Sequence, residues 1–438
     1  MDKMPRYRIA FRFVDSEEPI LEGREEILYI NQEQAGLKEL VLRLYPNYLF
    51  LVGGCDHHME VGDVRVNSEP ADFKYIISNT GILIRLPQTL LQNETVQIEM
   101  SFAMLLEPYA QGIWKVPHSY LLLAVRDENG WRTDLPTNGD LVYSESGLHV
   151  IDLMVPKRMN IAATGTETNR KDLGEDMRIY TFTAPGMRDF TFFLGEELQR
   201  AQTTVDGTTI YLWHVSDDPL VNDKLEIVAD AVSFFDNTFG SYPYADMDIV
   251  TRYDPEWWGP GGSGMEYPGL STYTHHTENW QWNLVHEVVH QWWFGVVGND
   301  VLMEPWLDEA LAEYSTYLYF REAYDEEYAS EVFYENVLKD YIEIGKEYGR
   351  VSGGEPVGLS VYDFPTFDAM YSWIVYGKGA LFLDKLREEL GHNVFLRFLQ
   401  EYYRQHKYQV ATGESFKETA EQVSGVDLDE LFDRWVWK

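Results

Sequence analysis

The run His286-Glu287-Val288-Val289-His290 constrains this chain more than any other stretch. On a helix, residues four apart stand one turn above each other on one face. Two imidazoles so placed can grip one metal ion, and the Glu between them lies close to it. Five positions with two of them free arise by chance, so the flanking sequence has to carry the argument. The spacing predicts a helix within Asn283 to Gly295, stopped by the glycine. A second helix is expected to open at Pro305, a residue favoured at the first helical position. Its apolar residues at 307, 310, 311, 314 and 318 make a buried stripe, with Glu309 on the flank one turn from Glu313. Two such helices packed side by side bring Glu309 toward His286 and His290. Two His and one Glu leave a fourth tetrahedral position open, as in a catalytic zinc site. Magnesium and calcium prefer shells of oxygen, so the imidazoles argue against them.

The sequence around these residues resembles the aminopeptidase N-like zinc metallopeptidases. These are gluzincins that include membrane alanyl aminopeptidases and leukotriene hydrolases, with the signature H-E-x-x-H, eighteen residues, then Glu. Eighteen residues separate His290 from Glu309. The flanks His286 to Gly295 and Trp306 to Tyr314 match the family's pattern. Gly264-Met265-Glu266-Tyr267-Pro268 stands where the family has G-x-M-E-N, and Tyr376-Gly377-Lys378-Gly379 where it has Y-x-K-G. The resemblance implies one zinc per chain on His286, His290 and Glu309. It implies Glu287 as general base and then general acid, and Tyr376 as donor to the tetrahedral oxyanion. Glu266 would anchor the free α-amine of a peptide, with Gly264 and Met265 lining the approach. Asp308 and Glu313 are candidates to hold the free ring N–H groups of the histidines. Two departures stand out. Tyr267 replaces the usual Asn, and no P-x-x-D-E-P stretch is found, so the β-domain Gln that helps hold the amine is not placed.

The first half reads as strands. Tyr7, Ile9, Phe11 and Phe13 alternate with polar residues, as do Leu40, Leu42 and Leu44, and Val96 through Met104 is the cleanest period-two run. Further runs lie near 150–155, 179–183 and 190–194. An antiparallel β domain is expected over 1–200. From 201 to 438 the pattern turns α/β. It has a strand at 209–215, a helix at 222–239 and a strand at 247–253. A Gly-rich turn at 259–264 precedes helical runs from 278 on, among them 324–348, 375–390 and 416–423. The resemblance implies the same order, a β-saddle domain and then a thermolysin-like catalytic domain. The sequence is expected to form these two domains without the large helical domain of bigger relatives.

A 438-residue chain that is 45% hydrophobic and 15% aromatic can build large cores. Its net charge of −37 excludes nucleic acid as a partner, since a phosphate backbone would be repelled. The charge is spread along the chain and reads first as a solvated acidic surface. No run of eighteen apolar residues occurs, so no transmembrane segment is expected. The N-terminus has no apolar signal core. A cytoplasmic setting follows if Met1 is the native start, and an extracytoplasmic one if a leader was removed. Cys55 is the only cysteine, so it has no intrachain partner. Nothing here reads out an oligomeric state. The adjacent pairs His57-His58 and His275-His276 read as loop residues, and Trp257, Trp258, Trp292 and Trp293 as core or cleft wall. The expected function is a zinc aminopeptidase acting on peptide substrates. Its rivals are a zinc endopeptidase with an open cleft, an epoxide hydrolase and a catalytically idle peptide-binding module.

Overall fold

Alternating burial builds the first half of the chain into sheets. In Arg6–Val14 the residues Tyr7, Ile9, Phe11 and Phe13 are buried and their neighbours face out, as pleating requires. This strand sits inside an eight-stranded sheet that also holds Ile20–Ile30, Thr95–Leu105, Gly147–Pro156 and Met177–Met187. The sheet is not purely antiparallel, as the sequence suggested. Arg6–Val14 and Gly147–Pro156 run parallel, with Arg6 opposite Leu148. The reason is the connection. The second strand returns only after every intervening sheet has been laid down, and a long crossover permits the parallel sense that a hairpin forbids. The buried face packs on a four-stranded sheet built around Leu37–Arg43 and Gly81–Leu90. The structure, a computed structural model, describes residues 3–51, 59–108, 112–215, 218–252, 264–274, 279–347, 349–366 and 368–438.

In the second half a five-stranded sheet runs in the order Leu198–Val205, Thr208–Val215, Asp246–Arg252, Leu270–Thr274, Gly264–Met265. The helix Val221–Thr238 connects the parallel strands Thr208–Val215 and Asp246–Arg252. The helices that follow build one large aromatic-rich core. A smaller apolar cluster takes Ile113, Ala162 and Phe193 from the first half and Trp213, Val250, Tyr267 and Leu270 from the second. No helix among the described residues is long and apolar enough to cross a membrane.

Three helical expectations need correction. The helix of the His-Glu motif spans Trp280–Val289 and ends at His290, sooner than Gly295. Phe294 takes a positive φ of 99°, which no continuing helix allows. The next helix, Trp306–Ala323, has no single buried stripe, because every residue from Trp306 to Phe320 is buried. It runs through the centre, with Trp280–Val289, Glu326–Phe333 and Gly379–Leu390 packed around it. The run after Tyr324 breaks into Glu326–Phe333 and the π-helical turns Tyr334–Leu338 and Asp340–Gly345. Sequence reasoning also missed the helix His392–His406, whose Phe395, Phe398, Leu399 and Tyr402 face inward at helical spacing.

Candidate active site

The helix Trp280–Val289 is locked in the core by Leu284, Val285, Val288 and Val289. That leaves His286 and His290 on one face, with their Nε2 atoms 3.0 Å apart. From the adjacent central helix, Glu309 Oε2 lies 3.4 Å from His286 Nε2 and 3.2 Å from His290 Nε2. Donors about 2.0–2.2 Å from one tetrahedral ion stand roughly 3.3 Å apart, so the three atoms fit a metal. Glu309 Oε2 is buried and faces both rings. Burial alone would raise the Glu309 carboxyl, but hydrogen bonds from His286 and His290 hold it at about 2. Burial pulls His290 down. The same burial acts on His286, yet the charge of Glu313 and the bond to Glu309 push it well up. The group is a concentrated demand for positive charge.

The outer edges of the rings are held differently. His290 Nδ1 lies 3.1 Å from the Trp293 carbonyl. His286 Nδ1 lies 3.6 Å from Glu313 Oε2, which accepts from Trp282 Nε1 at 2.8 Å. Both arrangements favour a proton on Nδ1 and a lone pair on Nε2 facing the centre. Asp308, the other carboxylate considered for this task, touches neither ring. It accepts from Asn299 Nδ2 at 2.9 Å and from the Glu309 N–H at 3.0 Å. Its position at the start of the helix points it back along its own backbone.

Glu287 is 3% exposed and lies against the edge strand. A Cβ on Gly264 would fall 2.1 Å from Glu287 Oε1, so only glycine leaves room for that carboxylate. Gly264 pairs with Tyr273 and Met265 with Thr272, which makes this motif an outermost strand. Gln291, directly after the second histidine, fixes the turn that follows. Its Oε1 accepts from the Gly269 N–H at 2.6 Å, and its Nε2 donates to the Tyr267 carbonyl at 3.1 Å and to Ser271 Oγ at 2.9 Å. Glu266 is thereby held facing the site, 5% exposed. Burial pushes its carboxyl well up, and the charges of Asp140, Glu287 and Glu309 add to that. Tyr267, in the place of the usual Asn, turns away into the cluster between the halves. Its ring lies 5.4 Å from that of His118, with Lys115 Nζ 5.3 Å above it.

Tyr376 sits in a π-helical stretch, Trp373–Lys378. Its ring lies nearly parallel to that of His286, 6.2 Å away, and its hydroxyl donates to Glu309 Oε1. The structure therefore brings His286, Glu287, His290, Glu309, Glu266, Gly264 and Tyr376 to one place. Met265 is half-buried against the cluster between the halves.

Sequence reasoning missed Asp140. This residue belongs to the first half, and its carboxyl lies beside that of Glu266 and interacts with it. Burial and then the charge of Glu309 push it up to about 7. Its loop is pinned to the second half. Thr137 Oγ1 donates to the Val361 carbonyl at 2.7 Å, and Asn138 Nδ2 to the Val361 and Pro365 carbonyls at 3.1 and 3.2 Å. Gly139, at φ +64°, lies so close to Tyr371 that a Cβ would fall 2.2 Å from its hydroxyl. In the sequence, Pro136-Thr137-Asn138-Gly139 reads only as a turn, and nothing in it marks a distant partner. Trp292 and Trp293 are wholly buried core. His57, His58, His275, His276, Trp257, Trp258 and the turn at 259–263 lie outside the described residues.

Known proteins bear on this geometry. Residues 224–435 match the peptidase family M1 domain. The thyrotropin-releasing hormone-degrading ectoenzyme of Mus musculus is 30% identical over 164 residues, 35% of this chain and 14% of that protein. The tricorn protease-interacting factor F2 of Thermoplasma acidophilum is 24% identical over 230 residues, 48% of this chain and 28% of that protein. The matched stretch is thus a minor part of either relative. Among solved structures, an M1 zinc metallopeptidase from Deinococcus radiodurans superposes with a TM-score of 0.70 at 18% identity, covering 100% of this chain and 93% of that one. That likeness extends the shared fold over both halves, a β domain followed by an α/β domain. Residues 224–435 thus carry a peptidase family M1 domain, in keeping with the aminopeptidase N-like resemblance of the motifs.

Proposed function

We propose that this chain is a zinc-dependent aminopeptidase that removes N-terminal residues from peptides. One observation carries the reading. Beside the His286, His290, Glu309 group, the buried Glu266 meets a second carboxyl, Asp140, at the outermost strand. A protonated α-amine entering there finds two carboxyls whose ionisation its own charge favours, whereas an unpaired buried charge would be costly. The amine end is then a fixed distance from the metal group, and cleavage is counted from the N-terminus. Structures related to the Deinococcus enzyme hold L-arginine, L-tryptophan and a Tyr-Ser-Ala substrate, which supports peptides as the substrate class. We take 1–200 as the β domain and 201–438 as the metallopeptidase domain. The separate large cores support that division.

His286, His290 and Glu309 would hold one zinc ion. Zinc bound there supplies Lewis acidity, which can bring the pKa of water from about 15.7 to about 7. Glu287, placed between the ligands and beside Gly264, takes the proton of the attacking water and returns it to the leaving amine. Tyr376 donates its hydroxyl to the oxyanion that develops on the scissile carbonyl. In the absence of substrate that donor rests on Glu309 Oε1. Glu266 and Asp140 hold the α-ammonium.

Hydrolysis of an aminoacyl-anilide, compared with its N-acetylated form, with and without chelator, tests the reading. The free-amine compound should be cleaved and the blocked one spared, with chelator abolishing cleavage. Comparable cleavage of both, or internal cleavage of acetylated peptides, would replace it with the endopeptidase alternative.

A further inference from the structure

Arg188 is 2% exposed, at the end of a β-domain strand, and its guanidinium reaches into the second half. Its hydrogen bonds among the described residues go to neutral backbone carbonyls. Nε donates to Phe294 at 3.0 Å, Nη1 to Ser144 at 2.9 Å, and Nη2 to Gln409. A planar fork with five N–H groups suits such a task, and an ammonium does not. The backbone at Gly298 lies flat on the guanidinium, because a Cβ there would fall 2.0 Å from Arg188 Cζ.

The first of those carbonyls belongs to the most strained turn near the metal group. Phe294 has a φ of 99°, a conformation that side chains with a Cβ rarely adopt. The peptide before Phe294 carries the Trp293 carbonyl that faces His290 Nδ1 at 3.1 Å. The N–H of the same peptide donates to the Val297 carbonyl at 2.7 Å. The peptide after Phe294 carries the carbonyl taken by Arg188. The same peptide is also held through its Gly295 N–H, which donates to the His290 carbonyl at 2.9 Å. The φ and ψ of Phe294 set how these two peptides are turned against each other, and the positive φ is the strained one. With both ends held, the angle persists. With the Arg188 bond lost, one of the two anchors of the later peptide goes and Phe294 can relax toward negative φ, which swings the Trp293 carbonyl off His290.

We propose that Arg188 is a positioning residue for His290, acting from the β domain through the Phe294 turn to keep the His290 ring aimed at the metal. This rests on the zinc reading of the site. It ties the metal group to the β domain through this one side chain, not through docking in general.

Arg188→Lys keeps the charge and loses the fork. Zinc affinity of the folded protein, measured by competition with a chromophoric chelator, should weaken by about 10- to 100-fold. Adding Phe294→Gly should recover most of the loss, since glycine adopts this φ without a steric penalty. Arg132→Lys, which disturbs the Arg132–Asp300 ion pair between the halves, serves as the control for docking alone. It should lower Tm and leave zinc affinity unchanged. Unchanged zinc affinity in Arg188→Lys overturns the proposal, as does an equal loss in Arg132→Lys. If Arg188→Lys does not fold, Gly298→Ala pushes the guanidinium aside without removing it, and the same criterion applies. A wild-type protein that binds no zinc overturns the zinc reading instead, so the two failures are distinct.

Discussion

The metal group and the two carboxyls proposed to hold the amine are built in opposite ways. The metal group is local. His286 and His290 share one helix, Glu309 comes from the next, and the helices pack side by side. The carboxyl pair is long-range. Glu266 stands on the outermost strand of the second half, and Asp140 reaches it from a loop of the first. The metal group therefore depends on helical spacing, and the carboxyl pair on how the halves dock. Residues on adjacent elements can be placed from sequence spacing, while residues joined by docking cannot.

The comparison can be broken at several points. The largest effect is expected at the metal group, where His290→Ala should lose zinc and with it turnover. Metal analysis of the purified variant checks this, and full zinc retention in both His290→Ala and Glu309→Ala would remove the assignment. Next comes Glu287→Gln, which keeps the side chain's shape but cannot accept a proton. Turnover should fall by about 10²- to 10⁴-fold with zinc content unchanged, and near-normal turnover of the metal-loaded variant would exclude Glu287 as the base. Tyr376→Phe should lower kcat by about 10²- to 10³-fold at nearly constant KM. A rise in KM with kcat intact would point to ground-state binding.

The carboxyl pair should respond selectively. Glu266→Ala should lose about 2–5 kcal/mol of kcat/KM on free-amine substrates, and Asp140→Asn about 1.5–3 kcal/mol. N-acetylated peptides should register little of either loss, because they carry no charge to hold. Equal losses on both substrate types would make these residues structural. The smallest effect concerns stability of the metal-free protein. Burial and then the charge of Glu309 raise Asp140 from 3.8 to about 7. The folded state therefore keeps a proton that the unfolded chain releases, so stability should fall as pH rises through that window and level off above it. Asp140→Asn should flatten this slope in Tm measured against pH, and an unchanged slope would show that Asp140 does not titrate there.

Period-two burial was legible in Arg6–Val14 and Thr95–Leu105, because each strand has one wet face. The helix His392–His406 was missed although its inward residues keep helical spacing. The central helix Trp306–Ala323 misled as a striped one because surrounding helices bury every side.

What the sequence by itself determined is the local chemistry. Spacings of four and eighteen residues name the two imidazoles and the carboxylate, since helix geometry converts such spacings into shared faces. Motif context added Glu266 and Tyr376. Only the tertiary structure decided what surrounds them. It put the Trp293 carbonyl rather than Asp308 behind His290, Tyr267 into the seam between the halves, and Asp140 onto Glu266. The physical reason is that these contacts follow from a positive-φ turn and from the docking of two separately cored halves, and neither leaves a periodic mark along the chain.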